Sequence, residues 1–125
     1  MTPTSTTFER FTAAIGEKLR EVSTVDTVFY ERSREVGFPR ICYTATVWTS
    51  DSTLRGTLSC TISGNGLPSE VDHIAQTLLD ELDVFSSCSD ELTYYLYNGR
   101  AAPVEDSDKS VTIRLLTFEF LAMGG

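Results

Sequence analysis

Two runs, Arg40 to Thr49 and Leu54 to Ser63, alternate apolar with small polar side chains around the tetrapeptide Ser50-Asp51-Ser52-Thr53. A repeat of two is that of a β-strand, and Ser and Asp favour turns because their side chains bond nearby backbone, so the pattern predicts a hairpin. Its register follows from the apolar set. Placing Ile41 opposite Ile62, Tyr43 opposite Cys60 and Ala45 opposite Leu58 gathers those residues on one face. A slip by one residue would split them between faces. In that register Cys42 and Cys60 point to opposite faces and are not linked. The other face carries Cys42, Thr44, Thr46 and Trp48 against Arg55, Thr57, Ser59 and Thr61. It sets Trp48 across from Arg55, where a guanidinium can stack on an indole. A small polar face capped by one large aromatic reads as a contact surface, with Trp48, Arg55, Thr46, Thr57 and the tip residue Asp51 as candidates. The competing reading is a surface tryptophan that shields a strand edge.

The flanking segments must cover the apolar face of this hairpin. Val71, Ile74, Ala75, Leu78, Leu79, Leu82 and Phe85 recur at helical spacing after Pro68 and Ser69, the strongest periodic signal in the chain. Phe8, Phe11, Ile15, Leu19 and Val22 predict another helix from about Thr7 to about Val22, with Thr6 and Glu9 as a capping box. Residues 1–6 before it are expected to fray. Val25 to Glu31 and Leu92 to Tyr97 read as strands, Asn98 to about Lys109 as a long loop, and Ser110 to Met123 as a final strand. These predict a single α+β domain: an antiparallel or mixed sheet of about four to five strands with two helices packed on one face. The final strand has apolar residues on both parities, Val111, Ile113 and Leu115 on one and Leu116, Phe118 and Phe120 on the other. Either a bulge lies near Leu115-Leu116, or a neighbouring subunit covers the second face. The long loop is a candidate binding arm, with Arg100, Asp106 and Asp108 as its charged contacts.

The chain has 125 residues and a formal charge of −8, from ten Lys and Arg against eighteen Asp and Glu. A reader of the nucleic-acid backbone needs a basic face, so that class is disfavoured. No apolar run approaches a membrane span, and the N-terminus lacks the basic and apolar segments of a secretory signal, so a soluble intracellular protein with reduced thiols is expected. Gly64-Asn65-Gly66-Leu67-Pro68-Ser69 partly matches a nucleotide-binding loop. Its third glycine is replaced by Ser69, however, and Glu70 and Asp72 would repel a phosphate at the helix start. His73, the only histidine, has no ligand-spaced partners, and no nucleophile signature surrounds any cysteine. Neither cofactor nor metal is expected, nor catalysis. The acidic run Glu105-Asp106-Ser107-Asp108 lacks the spacing of a calcium loop.

The whole chain, from about Phe8 to Phe120, resembles the tail terminator (tail completion) proteins of long-tailed bacteriophages. The resemblance rests on the amphipathic first helix, "TVFYERS", "FPRICY" opening a strand, the hairpin, the helix "PSEVDHIAQTLLDELD", and "DKSVTIRLLTFEF" as the final strand. The chain departs from the family at "LSCTISGNG", where similar proteins often carry an acidic or aromatic residue. The resemblance implies a structural virion protein at the head-tail junction, assembled in the host cytoplasm. Such proteins form a hexameric ring that caps the tail tube, ends its growth and joins the tail to the neck. The implied partners are other copies of the chain, the tail tube protein and a neck or connector protein, with DNA only as passing cargo and no membrane. Another head-tail connector, an acidic DNA mimic that inhibits a host nuclease, and a small enzyme using His73 are the alternatives.

Overall fold

In the computed structural model, which describes residues 3–25, 27–31, 37–50, 52–105 and 110–124, α1 (Pro3–Ser23) is followed by β1 (Val28–Tyr30), β2 (Arg40–Ser50) and β3 (Leu54–Gly64). Then come α2 (Pro68–Leu82), β4 (Phe85–Cys88), β5 (Leu92–Val104) and β6 (Thr112–Gly124). The strands form one sheet in the order β1-β2-β3-β6-β5-β4. Neighbours are antiparallel except β1 and β2, which are parallel. The class is α+β, and the sheet is mixed and has six strands rather than four or five.

Both helices lie on one face, because only that face can bury their apolar stripes. Phe11, Ile15 and Leu19 of α1 and Val71, Ala75, Leu78 and Leu82 of α2 are buried against it. They meet Ile41 and Tyr43, Leu58, Cys60 and Ile62, Leu116, Phe118 and Phe120, and Tyr94 and Leu96, all from alternating positions of their strands. Phe11 stacks on Phe120 at 4.4 Å between ring centres and meets Tyr94 edge-on at 5.5 Å. Gly16 lets α1 approach β2: a Cβ there would collide with the Tyr43 hydroxyl, which donates a hydrogen bond of 2.7 Å to the Thr12 carbonyl.

Several features differ from those the sequence predicts, among them the first strand, which is Val28–Tyr30 rather than Val25 to Glu31. Helix α1 begins at Pro3, a turn before the Thr6 cap; proline suits a helix start because an N–H there has no intrahelical partner anyway. Helix α2 stops at Leu82, where the Asp83 N–H bonds to the Leu79 carbonyl and Val84 turns the chain with φ of 61°. Phe85 therefore reaches the core from β4, not from the helix. The segment read as a loop after Tyr97 is strand as far as Val104, because a bulge at Asn98 and Gly99 absorbs the break and pairing resumes at Arg100. The expected bulge near Leu115-Leu116 is absent: β6 pairs with β3 from Thr112 to Ala122 without a register shift.

Candidate subunit interface

An uninterrupted β6 must present both parities. Leu116, Phe118 and Phe120 enter the core, so Ile113, Leu115 and Leu121 face away from the helices and are only half-buried. The register sets Val104, Ala102 and Tyr95 of β5 beside them, and Met123 and Val104 are 42% and 40% exposed. Tyr95 and Tyr97 stack on the same face, with ring centres 5.2 Å apart. Thr44, Thr46, Thr57, Ser59 and Thr61 fill the β2–β3 half of that face, crossed by a shallow groove of about 880 Å³ near Arg40, Cys42 and Tyr30. Among the described residues no helix covers this face, which is apolar and aromatic on one half and small and polar on the other.

The hairpin register is the predicted one from Arg40↔Ser63 to Val47↔Gly56. It shifts there: Arg55 pairs with Thr49, and Trp48 is the extra residue of a bulge. The expected Trp48–Arg55 pair is therefore not formed. Among the described residues the cations placed over rings are Arg40 on Phe38 and Lys18 on Phe85. The cause lies at Gly56, where a Cβ would collide with the Thr46 carbonyl oxygen; that close approach admits only glycine. Trp48 is 56% exposed and belongs to no core cluster. Thr46 and Thr57 do face each other on the polar face, and Arg55 is exposed beside them. Arg100 lies exposed just after the β5 bulge, which the Asp83 carboxylate secures by accepting a 2.8 Å hydrogen bond from the Gly99 N–H. Asp51, Asp106 and Asp108 lie outside the described residues.

The cysteines are free: Cys42 is half-buried, Cys60 buried and Cys88 exposed. Burial pushes the Cys60 thiol up to about 12, which keeps it protonated and inert as a nucleophile at neutral pH. His73 is exposed on α2, beside an open groove of about 780 Å³ shared with Phe38, Pro39 and Ile74. No group of three or more His, Cys, Asp or Glu able to hold a metal occurs among the described residues. In the partial glycine motif Glu70 sits in the first turn of α2, and Asp72 is held at 2.7 Å by Arg114 from β6. The partial match to a phosphate loop thus leads into an acid-bearing helix tied to the sheet. Exposed acids lie mainly on the helices, among them Glu9, Glu17, Glu21, Glu70, Asp80 and Glu81, whereas the open sheet face carries Arg55 and Arg100 with Glu119.

Sequence reasoning missed the aromatic pair Tyr95–Tyr97 and left the second apolar row as one of two readings beside a bulge; the uninterrupted pairing of β6 removes the bulge, and the parity of Leu121 with Ile113 and Leu115 extends the row.

No protein-family model matches the chain, and no curated protein matches it in sequence. Among solved structures, one without a descriptive name aligns over 90% of both chains at 11% identity and a TM-score of 0.65, which shows a shared fold. A chain from the virion of a native gene transfer agent particle aligns over 97% of this chain and 92% of its own, at 15% identity and a TM-score of 0.46.

Proposed function

We propose that the chain is a non-enzymatic structural protein of a phage-like virion, a tail terminator whose copies form a ring on the end of the tail tube and join it to the neck. The observation that carries this reading is the uncovered sheet face with its second apolar row. A sheet in a two-layer domain hides its apolar residues under helices, and a large apolar area left outside marks an association surface. The family resemblance of the sequence supports the same reading and supplies the tube and neck proteins as the further partners. The open face offers the two kinds of surface that such a role needs. Its β5–β6 half is apolar and aromatic, suited to permanent contact, and its β2–β3 half is small and polar, suited to a wet or sliding contact.

The test is assembly. Purified protein at about 100 µM, alone and with preformed tail tubes, is followed by native mass measurement and negative-stain imaging. The reading expects closed rings, free or at tube ends, and tubes that stop growing when the protein is added. A protein that stays monomeric in both conditions and leaves tube growth unchanged refutes it.

A further inference from the structure

The geometry points to a specific mode of self-association: copies join head to tail by pairing the free edge of β2 in one copy, antiparallel, with the free edge of β5 in the next, so that one sheet continues through the ring. This rests on the ring reading above and names the surface that closes it.

Both edge strands are short and sit at opposite ends of the sheet. β1 pairs only with Ile41 to Tyr43 of β2, and β4 only with Thr93 to Leu96 of β5. Among the described residues no strand pairs with the outer edge of β2 from Thr44 to Ser50, or with that of β5 from Tyr97 to Val104. A long unpaired edge is a template for another strand, and folded proteins normally blunt or cover it.

Hydrogen-bond direction identifies the groups on offer. The Ile41 N–H donates to the Thr27 carbonyl, and the Tyr43 carbonyl accepts from the Glu31 N–H, so these residues point out of the β2–β3 ladder. By alternation Ala45 and Val47 also point outward, with no strand there. On β5, Leu92 bonds outward to Ser89, and beyond the bulge the Gly99 N–H bonds outward to Asp83. Ala101 and Pro103 therefore point outward too, and a proline with its nitrogen on the open side is the arrangement an edge strand tolerates.

Three independent features then agree. The outward residues of both edges, Ala45 and Val47 on β2 and Ala101 and Pro103 on β5, share the helix-bearing face, so two copies can join without turning the sheet over. The strands run in opposite directions, which gives an antiparallel seam. Opposing Val47 with Ala101 and Ala45 with Pro103 makes both bonds of the first pair and lets the Ala45 N–H donate to the Pro103 carbonyl. Pro103 needs no donor partner. The same register brings Arg100 of one copy to Trp48 of the next, the guanidinium–indole contact that the hairpin itself does not make.

The stagger fits as well. Val47 lies level with Phe120 of β6 and Ala101 level with Leu116, so each copy drops about four residues, roughly 13 Å, along the strands. That step puts the next copy's β1 below the end of β5 and its β2 below β4, so the short strands do not collide. Each copy then contributes β2, β3, β6 and β5 to the seam. A shear of about one residue per strand is that of an eight-stranded barrel with eight residues of shear, whose strands tilt by about 36°.

The test uses Ala45→Pro and Ala101→Pro, each of which deletes an outward N–H that the subunit's own ladder does not use. Sedimentation and native mass are measured on the wild type, on each variant and on their equimolar mixture, with circular dichroism to establish folding. The expected result is an assembled wild type, two monomeric variants, and a dimer in the mixture, because each variant keeps one edge intact. If the wild type assembles and either variant still does, edge pairing is wrong while the ring reading stands. A wild type that is monomeric alone and on tubes overturns both. Should a variant fail to fold, Thr46→Cys with Ala102→Cys, in a chain with Cys42 and Cys88 changed to serine, replaces it. Oxidation is expected to give a ladder of covalent oligomers ending at the ring size. Cross-linking no faster than that of Thr44→Cys with Ala102→Cys, two residues out of register, overturns the proposal.

Discussion

Replacing Trp48 by alanine separates folding from assembly, because the structure places this side chain outside the core. With 56% of the residue exposed, the covered part is the minority. A large aromatic buries roughly 200 Å² when fully enclosed, so about 90 Å² is at stake. At about 25 cal/mol per Å² this is about 2 kcal/mol, an upper bound because an unfolded chain already shields some of it. In a domain of this size 1 kcal/mol moves the melting point by about 4 °C, so Trp48→Ala is expected to lower it by no more than about 8 °C. Phe11→Ala is the internal standard. That ring is fully buried between Phe120 and Tyr94, and its loss should cost about 3–5 kcal/mol, roughly 12–20 °C. If Trp48 anchors a neighbouring subunit, its removal should weaken association by about 2 kcal/mol or more, roughly 30-fold. The chain has one tryptophan, so its fluorescence reports this site alone: emission should be that of a wet indole in dilute protein and should shift blue on assembly. A melting point as low as that of Phe11→Ala would mean that Trp48 is part of the core. Unchanged assembly, or emission that ignores concentration, would refute its role as an anchor.

Alkaline titration should expose the buried thiol. The folded state holds the Cys60 proton more tightly than the unfolded chain does, so this contribution is complete below about pH 9 and is lost as pH rises toward 12. Its full size is about 4 kcal/mol, and urea midpoints above pH 9 that fall no faster in the wild type than in Cys60→Ala would contradict the burial. Burial also raises Tyr43 and Tyr94, so their ionisation destabilises the fold in the same direction at higher pH. Tyr43→Phe, which removes the hydrogen bond to the Thr12 carbonyl, should lower stability by about 1 kcal/mol in chemical denaturation. With a thiol reagent at neutral pH, Cys88 should label first and Cys60 only on unfolding, without prior reduction; a disulfide-linked peptide from native protein would contradict the face assignment. His73→Ala should leave melting and ring formation within about 0.5 kcal/mol of the wild type, because the residue is exposed on α2; a folded variant that no longer assembles would revive a functional histidine.

The parts of the fold that could be read from the sequence are those fixed by burial on one face. The hairpin register follows from Ile41, Tyr43, Leu58, Cys60 and Ile62, since any other pairing exposes them. The stripes of α1 and α2 follow from the need to cover that surface. What could not be read is set by backbone events that leave little trace in residue type. The bulge that isolates Trp48 depends on an approach between Gly56 and the Thr46 carbonyl, a contact between two strands that no local pattern encodes. β5 runs on through Asn98-Gly99 because Asp83, sixteen residues earlier, binds the Gly99 N–H; locally Asn-Gly followed by Ala-Ala-Pro reads as loop. β4 is a four-residue strand, Phe85-Ser86-Ser87-Cys88, and its phenylalanine falls in phase with the preceding helix, so by spacing alone it reads as part of that stripe.

The two parities of β6 connect folding with assembly. Leu116, Phe118 and Phe120 alone complete the core, and Ile113, Leu115 and Leu121 add nothing to the buried side. Three threonines in their place would keep the period of two, raise solubility and leave the subunit's interior unchanged. Retaining leucine and isoleucine there exposes apolar surface on an isolated subunit, and that exposure is offset only where something covers the face. If the sheet continues from copy to copy through its edges, its open face stays outside the seam, and the partner that covers these rows seats on the face itself. Thr117→Lys, Leu115→Lys or Leu121→Lys would then place a charge on that face while sparing the core and the edges. The folded subunit and its ring should tolerate each, and seating of the ring on tail tubes, scored by negative-stain imaging, should not.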